Sequence, residues 1–325
     1  MRRSFSRFLS KQAGRLVSVK SVLKIPIPVF LPFYHVVSDE DLPHILNYQY
    51  RDVKQFEMEL DFYLRHFNPV SLEDLLNINP SNKKSFHITF DDGLRECAEI
   101  IAPILFKKGI PATFFINPSF VDNKALFHKY KASLILRKLL KAGNLNAEDL
   151  LKKNGLSINN LLEANIQQTN IIDQVAQILE IDFQDFLKNY QPYMTTNQIK
   201  DLQHQGFGIG AHSYHHPEFW QISDEQQNEE ITSSMDWITK HFTPNIKSFA
   251  FPFTDSGVSK KILESIQHKN ICDITFGTAG IKQDELNNHF QRYPVENSTD
   301  FIGDLKSELI YFQLRKIAGK ATVKH

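Results

Sequence analysis

Apolar residues follow two rhythms along this chain. Short unbroken apolar runs stop at small polar clusters, and the longer stretches between them repeat an apolar residue every three or four positions. The run Val29 to Val37, VFLPFYHVV, reads as a buried strand with His35 near its C-terminal end. FEMELDFYLRHF then sets Phe56, Leu60, Leu64 and Phe67 at helical spacing, and Ser71 ahead of Glu73 and Asp74 marks a helix start. A second strand, Ser85 to Phe90, stops at Asp91-Asp92-Gly93; a helix from about Leu94 to Lys108 ends at Gly109, and Ala112 to Ile116 is a third strand.

Strand, helix, strand with short turns predicts parallel strands covered by helices, hence an α/β barrel or a doubly wound sheet. Between about Phe120 and Tyr193 the strands vanish; SLILRKLLKAG, AEDLLKKNG and IDQVAQILE keep the helical period, and Gly143 and Gly155 stop successive helices. This segment is read as a helical insertion, long for an α/β connection and suited to a lid or partner surface that sets the substrate. The earlier rhythm then resumes. A helix near Thr196 to Gln205 has an N-cap in Thr195-Thr196-Asn197, and the strands GFGIGAHS, IKSFAFPF, DITFGT and FQRYPVE alternate with helices at Asp224 to His241 and Ser259 to His268. A final helix spans about Asp300 to Ala318. The expected organisation is a basic arm over 1–28 and one barrel domain over 29–325.

Composition narrows the function. Lys+Arg and Asp+Glu are both 37 in 325 residues, so no global field draws the chain to nucleic acid. The balance is uneven, because Arg2, Arg3, Arg7, Lys11, Arg15, Lys20 and Lys24 precede the first acidic residue, Asp39. Two readings of that arm stay open, a peripheral contact to anionic lipid and a solvated basic helix. Cys97 and Cys272 form no C-x-x-C pair and read as small buried residues. Polar interruptions and prolines leave no secretory or membrane-spanning run, so the cytoplasm, with membrane association left open, is the expected location.

Chemistry concentrates at strand ends. Asp91 and Asp92 are adjacent carboxylates leaving an apolar strand, where like charges raise a pKa or recruit a cation. His212 and His216, four apart around a turn, have metal-ligand spacing; with one carboxylate they form a set that holds zinc or a related ion and leaves positions for water and substrate.

With these residues in view, the chain resembles the polysaccharide deacetylase family, the NodB-homology domain of carbohydrate esterase family four. The motifs T-F-D-D-G and H-[ST]-x-x-H are complete as Thr89 to Gly93 and His212 to His216. Phe249 to Asp255, FAFPFTD, resembles the F-A-Y-P-Y-G segment of the branch related to biofilm-polysaccharide N-deacetylases. The resemblance spans roughly Val29 to Glu296 outside the insertion. It implies a distorted (β/α) barrel and removal of an N-acetyl group from a sugar by water activated beside a divalent metal, with Asp92, His212 and His216 as ligands and Asp91 as general base. Zinc is the default metal; nickel, cobalt and iron accept the same ligands. Phe253 matches the position that lends its backbone N–H to the oxyanion, Arg292 a branch arginine placed to keep the base ionised, and His35 a Y-H pattern at the barrel mouth. Leu286-Asn287-Asn288-His289 has the letters of the family's late L-x-x-H motif but no strand before it, so the general acid stays open between His35, His289 and a proton recycled on Asp91. His215 falls in a variable slot and is assigned to structure. Tyr214, Phe219 and Trp220 either stack on a sugar or pack their loop. The other class of function weighed is a catalytically silent carbohydrate- or partner-binding module; a metal amidase for non-sugar amides shares the same ligand set.

Overall fold

A computed structural model describes residues 2–77, 84–296 and 299–325. Its central sheet has eight parallel strands: β1 Pro32–Tyr34, β2 Ile88–Phe90, β3 Ala112–Ile116, β4 Gly208–Ala211, β5 Ser248–Ala250, β6 Ile274–Gly277, β7 His289–Gln291 and β8 Tyr293–Pro294. The spatial order is β7-β6-β5-β4-β3-β2-β1-β8, so the two edge strands are consecutive in the chain. The expected strand FQRYPVE is therefore two strands. Its first half pairs with β6 and its second with β1, and the chain passes from one partner to the other at Arg292, which nearly closes a distorted (β/α) barrel.

Side-chain alternation sorts the strands' residues. Tyr34, Phe90 and Phe114 stack in a row, at 5.8 and 5.1 Å between ring centroids, and Phe56 of the helix Val53–His66 packs on Tyr34 edge-on at 5.4 Å. Phe33, Thr89 and Phe115 take the other face and gather around Arg292. Each fully buried phenylalanine contributes about 1.5–3 kcal/mol. Between β3 and β5, only glycine fits at position 210: a Cβ there would run into Ser248 and the Phe115 ring.

The helices end where the sequence chemistry places their caps. Ser71, Thr195, Ser223 and Ser259 each accept from a backbone N–H of the first turn, and Gly109 closes Ala102–Lys108 in the left-handed region at φ 65°. The insertion is helical, with His128–Ala142, Leu145–Lys153, Thr169–Ile178 and Phe183–Tyr190 around their own apolar cluster of Ile135, Leu151, Leu161, Ile172 and Val175. The basic N-terminal segment forms the helix Arg2–Leu16, which lies against Phe301–Ile317 closely enough that a Cβ at Gly14 would press on Ser307. Among the described residues no helix is long and apolar enough to cross a membrane.

Candidate active site

At the end of β2 the chain turns sharply. Asp91 still donates its N–H to Tyr34 O, at 3.0 Å, but Asp92 and Gly93 both have positive φ, 71° and 65°. The helix expected from Leu94 begins later, because Leu94 pairs with Tyr193 at the end of the insertion and the first regular turn, Cys97–Ile101, is a π-helix. Ser213, His216 and Phe253 are also left-handed, at φ 65°, 58° and 56°. Each such non-glycine residue stores about 1–3 kcal/mol of strain, and Asp92, Ser213, His216 and Phe253 gather at three strand ends.

Arg292 is fully buried and grips Asp91 with both arms, Nη1 to Oδ1 at 2.7 Å and Nη2 to Oδ2 at 2.8 Å. Nη1 also donates to Thr89 Oγ1 at 3.0 Å, and Phe33 and Phe115 sandwich the guanidinium, with centroids 4.5 and 5.4 Å from Cζ. Burial alone would raise the Asp91 pKa; the arginine charge, with His212, outweighs it and holds the carboxyl below its usual range. Asp91 is thus a buried, ionised carboxylate.

Asp92 meets the two histidines. Its Oδ1 lies 3.2 Å from His216 Nε2 and 3.7 Å from His212 Nε2, and His212 Nε2 is also 3.7 Å from Asp91 Oδ2. His212 Nδ1 is bonded to Ala250 O at 2.8 Å, which turns Nε2 toward the carboxylates, and burial pushes its pKa down to about 4, so the ring is neutral. Asn117, at the end of β3, donates to the backbone carbonyls of His212 and Ser213 and fixes the turn. Asp92 Oδ1 is buried yet receives no aligned hydrogen bond. An unmatched buried carboxylate oxygen beside two imidazole nitrogens, all within 4.8 Å of one another, fits a divalent metal with three protein ligands and an open position.

His35 and Glu296 form a pair that the sequence did not reveal. His35 Nδ1 lies 2.6 Å from Glu296 Oε2, and the backbone N–H groups of His35 and Val36 donate to the same carboxylate. Burial lowers the His35 pKa, but Glu296, followed by Asp92 and Asp91, outweighs it and raises the value to about 9. Tyr48 stacks on the His35 ring at 4.4 Å and bonds to Tyr130, whose hydroxyl donates to Asp92 Oδ2 at 2.9 Å. Tyr130 lies in the helix His128–Ala142, so the insertion reaches the site directly. A second tie joins them, since Glu218 meets both His128 and Lys129, at 3.2 and 3.4 Å, two residues past His216.

The remaining expected residues separate. Phe253 is 37% exposed, packs edge-on against His216 at 4.7 Å, and its backbone N–H makes no hydrogen bond among the described residues. Trp220 is exposed beside Phe253, whereas Phe219 is buried against Phe249 and Phe251. His215 turns outward to Glu230 at 2.7 Å. His289 does not join the site; alternation along the last strands puts it on the face opposite Arg292, where it meets Asp255 at 3.1 Å.

Comparisons with known proteins bear on the family and the fold. The family described as polysaccharide deacetylase matches residues 78–271. No curated protein matches. Among solved structures, the chain is similar to the Streptococcus pyogenes deacetylase PplD in complex with acetate, at 15% identity and a TM-score of 0.56 over 87% of this chain and 99% of that one. IcaB from Ammonifex degensii gives the same identity and score, over 87% and 97%, and the de-N-acetylase from Aggregatibacter actinomycetemcomitans gives 13% and 0.54 over 86% and 99%. At these identities the likeness establishes the fold, and it bears out the barrel expected from the sequence.

Proposed function

The chain belongs to the polysaccharide deacetylase family, and on that premise we propose that it is a metal-dependent hydrolase removing the N-acetyl group from an N-acetylated sugar. The observation that carries the reading is the three-atom metal set of Asp92, His212 and His216 directly beside Asp91, whose carboxylate is held by the buried Arg292.

Asp92, His212 and His216 would hold the metal, with zinc the best match to their donors. When bound, it supplies Lewis-acid activation of water and of the acetamide carbonyl. Asp91 accepts the proton of the attacking water, and its grip on Arg292 fixes both carboxylate oxygens. The unused N–H of Phe253 is suited to the oxyanion. His35 protonates the leaving amine, because Glu296 keeps the ring charged at neutral pH. Exposed Trp220 offers a face for a sugar ring.

The direct test is acetate release from N-acetylglucosamine oligomers. The parent should release acetate, lose that activity on chelation, and recover it with zinc; His212→Ala should not recover. Metal-loaded parent protein that releases none would favour a silent binding module.

The acid assignment has its own signature. His35 acts while protonated, so activity persists at neutral pH and falls as pH rises through the His35 pKa. Glu296→Gln removes the carboxylate that raises that pKa and leaves the lowering effect of burial. The alkaline limb of kcat should then move down by about one pH unit or more. An unmoved limb would remove His35 from the mechanism.

A further inference from the structure

Beyond the active site, a second group of buried side chains converges where the barrel closes. Asp255 follows β5, His289 opens β7, and Asp284 and His325 come from a two-stranded parallel ladder in which Gln283–Asp284 pairs with Thr322–Val323. All four side chains are 4% exposed or less. His289 Nε2 lies 3.1 Å from Asp255 Oδ2 and 3.9 Å from Asp284 Oδ2; His325 Nε2 lies 3.1 Å from Asp284 Oδ2 and 3.9 Å from Asp255 Oδ2.

These separations bring four metal-binding groups close enough to share one ion. Zinc bonds of about 2.0–2.1 Å set neighbouring ligand atoms about 3.3 Å apart; the four imidazole–carboxylate separations are 3.1–3.9 Å and all four ligand atoms lie within 4.8 Å of one another, so the groups would draw in around the ion. The surroundings orient three of the four donors. Thr275 Oγ1 holds His289 Nδ1 at 2.7 Å, which leaves Nε2 facing the carboxylates. Gln291 accepts from the Ala279 N–H through Oε1, and its Nε2 lies against Asp255 Oδ2, Asp284 Oδ2 and His289 Nε2, at 2.6, 2.9 and 3.3 Å, so the amide covers one side of the cluster and would have to withdraw for an ion to bind; Leu286 N–H holds the other Asp284 oxygen. Two carboxylates and two imidazoles converge in a buried place, where the carboxylate charge is balanced either by protons on the imidazoles or by a cation between the four groups. An open cavity of about 650 Å³, lined by Asp255, Lys282, Arg315 and His325 among others, gives an ion a way in.

We propose that Asp255, Asp284, His289 and His325 form a second, structural zinc site. Its four protein ligands close the coordination shell, in contrast to the open three-ligand set of the active site. The ion would fasten the 283–284 and 322–325 segments to β7, three residues before Arg292, and so brace the seam that carries the Asp91 partner.

Zinc content of the full chain, loaded with Zn(II) alone and desalted, tests this. The parent should hold about two zinc ions, His212→Ala about one, His325→Ala about one, and the double variant none. Added Zn(II) should raise the thermal midpoint of His212→Ala by several degrees and leave that of the double variant unmoved. Asp284→Asn and His216→Gln serve as second variants at each site, with circular dichroism to verify folding. Folded His212→Ala and His216→Gln that both bind no zinc would overturn the proposal and make the cluster a proton-shared ion-pair network. Zinc lost with His325→Ala but not with His212→Ala would support this site while counting against the catalytic metal, so the two readings fail separately.

Discussion

Asp91→Asn is expected to lower acetate release by about 10²–10⁴-fold, the usual contribution of a positioned general base, with metal content unchanged. The substitution is nearly isosteric and the amide oxygen still accepts one guanidinium N–H, but the buried Arg292 loses its charge partner, so circular dichroism and a thermal melt of the variant separate the loss of proton transfer from any loss of fold. Metal analysis beside the kinetics separates the roles. Asp92 Oδ1 lies against both histidines, so Asp92→Asn should reduce metal content, whereas Asp91 reaches only His212, at 3.7 Å. Turnover retained in Asp91→Asn would remove it as the base.

Arg292→Leu should cost about 3–5 kcal/mol of stability at neutral pH, because it strands the Asp91 charge without its partner in a buried place. The sign follows from the direction of the Asp91 shift. Its folded pKa is depressed, so the pair's contribution is present above the unfolded carboxylate pKa and is lost as pH falls through the folded one. The variant's deficit should therefore shrink in acid. In an Asp91→Asn background the same substitution should cost less, since no carboxylate remains to be stranded; denaturant melts of the four proteins give the coupling. Equal costs in both backgrounds would mean that Arg292 acts through packing on Phe33 and Phe115 alone.

Much of this was legible in the chain. Apolar runs ending at polar clusters located β1 to β6, capping residues located most helix starts, and loss of strand character outlined the insertion. Where the reading slipped, a tertiary contact had overruled a local preference. The helix after Gly93 starts late because Leu94 is bridged to Tyr193, and FQRYPVE splits because its halves serve opposite edges of the sheet. Arg292 and His35 were picked out by resemblance, and the structure supplies the partners that give them a role. Glu296, Tyr130, Tyr48 and Asn117 were missed, since none carries a local signal beyond being polar or aromatic at the end of a predicted element.

The sequence by itself determined the dense chemistry: Asp91-Asp92 and His212 with His216 sit within single turns, so their spacing along the chain already sets their spacing in space. Only the tertiary structure decided the partners. Arg292 reaches Asp91 across 201 residues and Glu296 reaches His35 across 261, and both lie where the consecutive edge strands bring the far end of the sheet back to its start. The Asp255, Asp284, His289 and His325 cluster was hidden for the same reason. Periodicity reports which face of an element is buried, while the identity of the group across the seam is set by how the elements close.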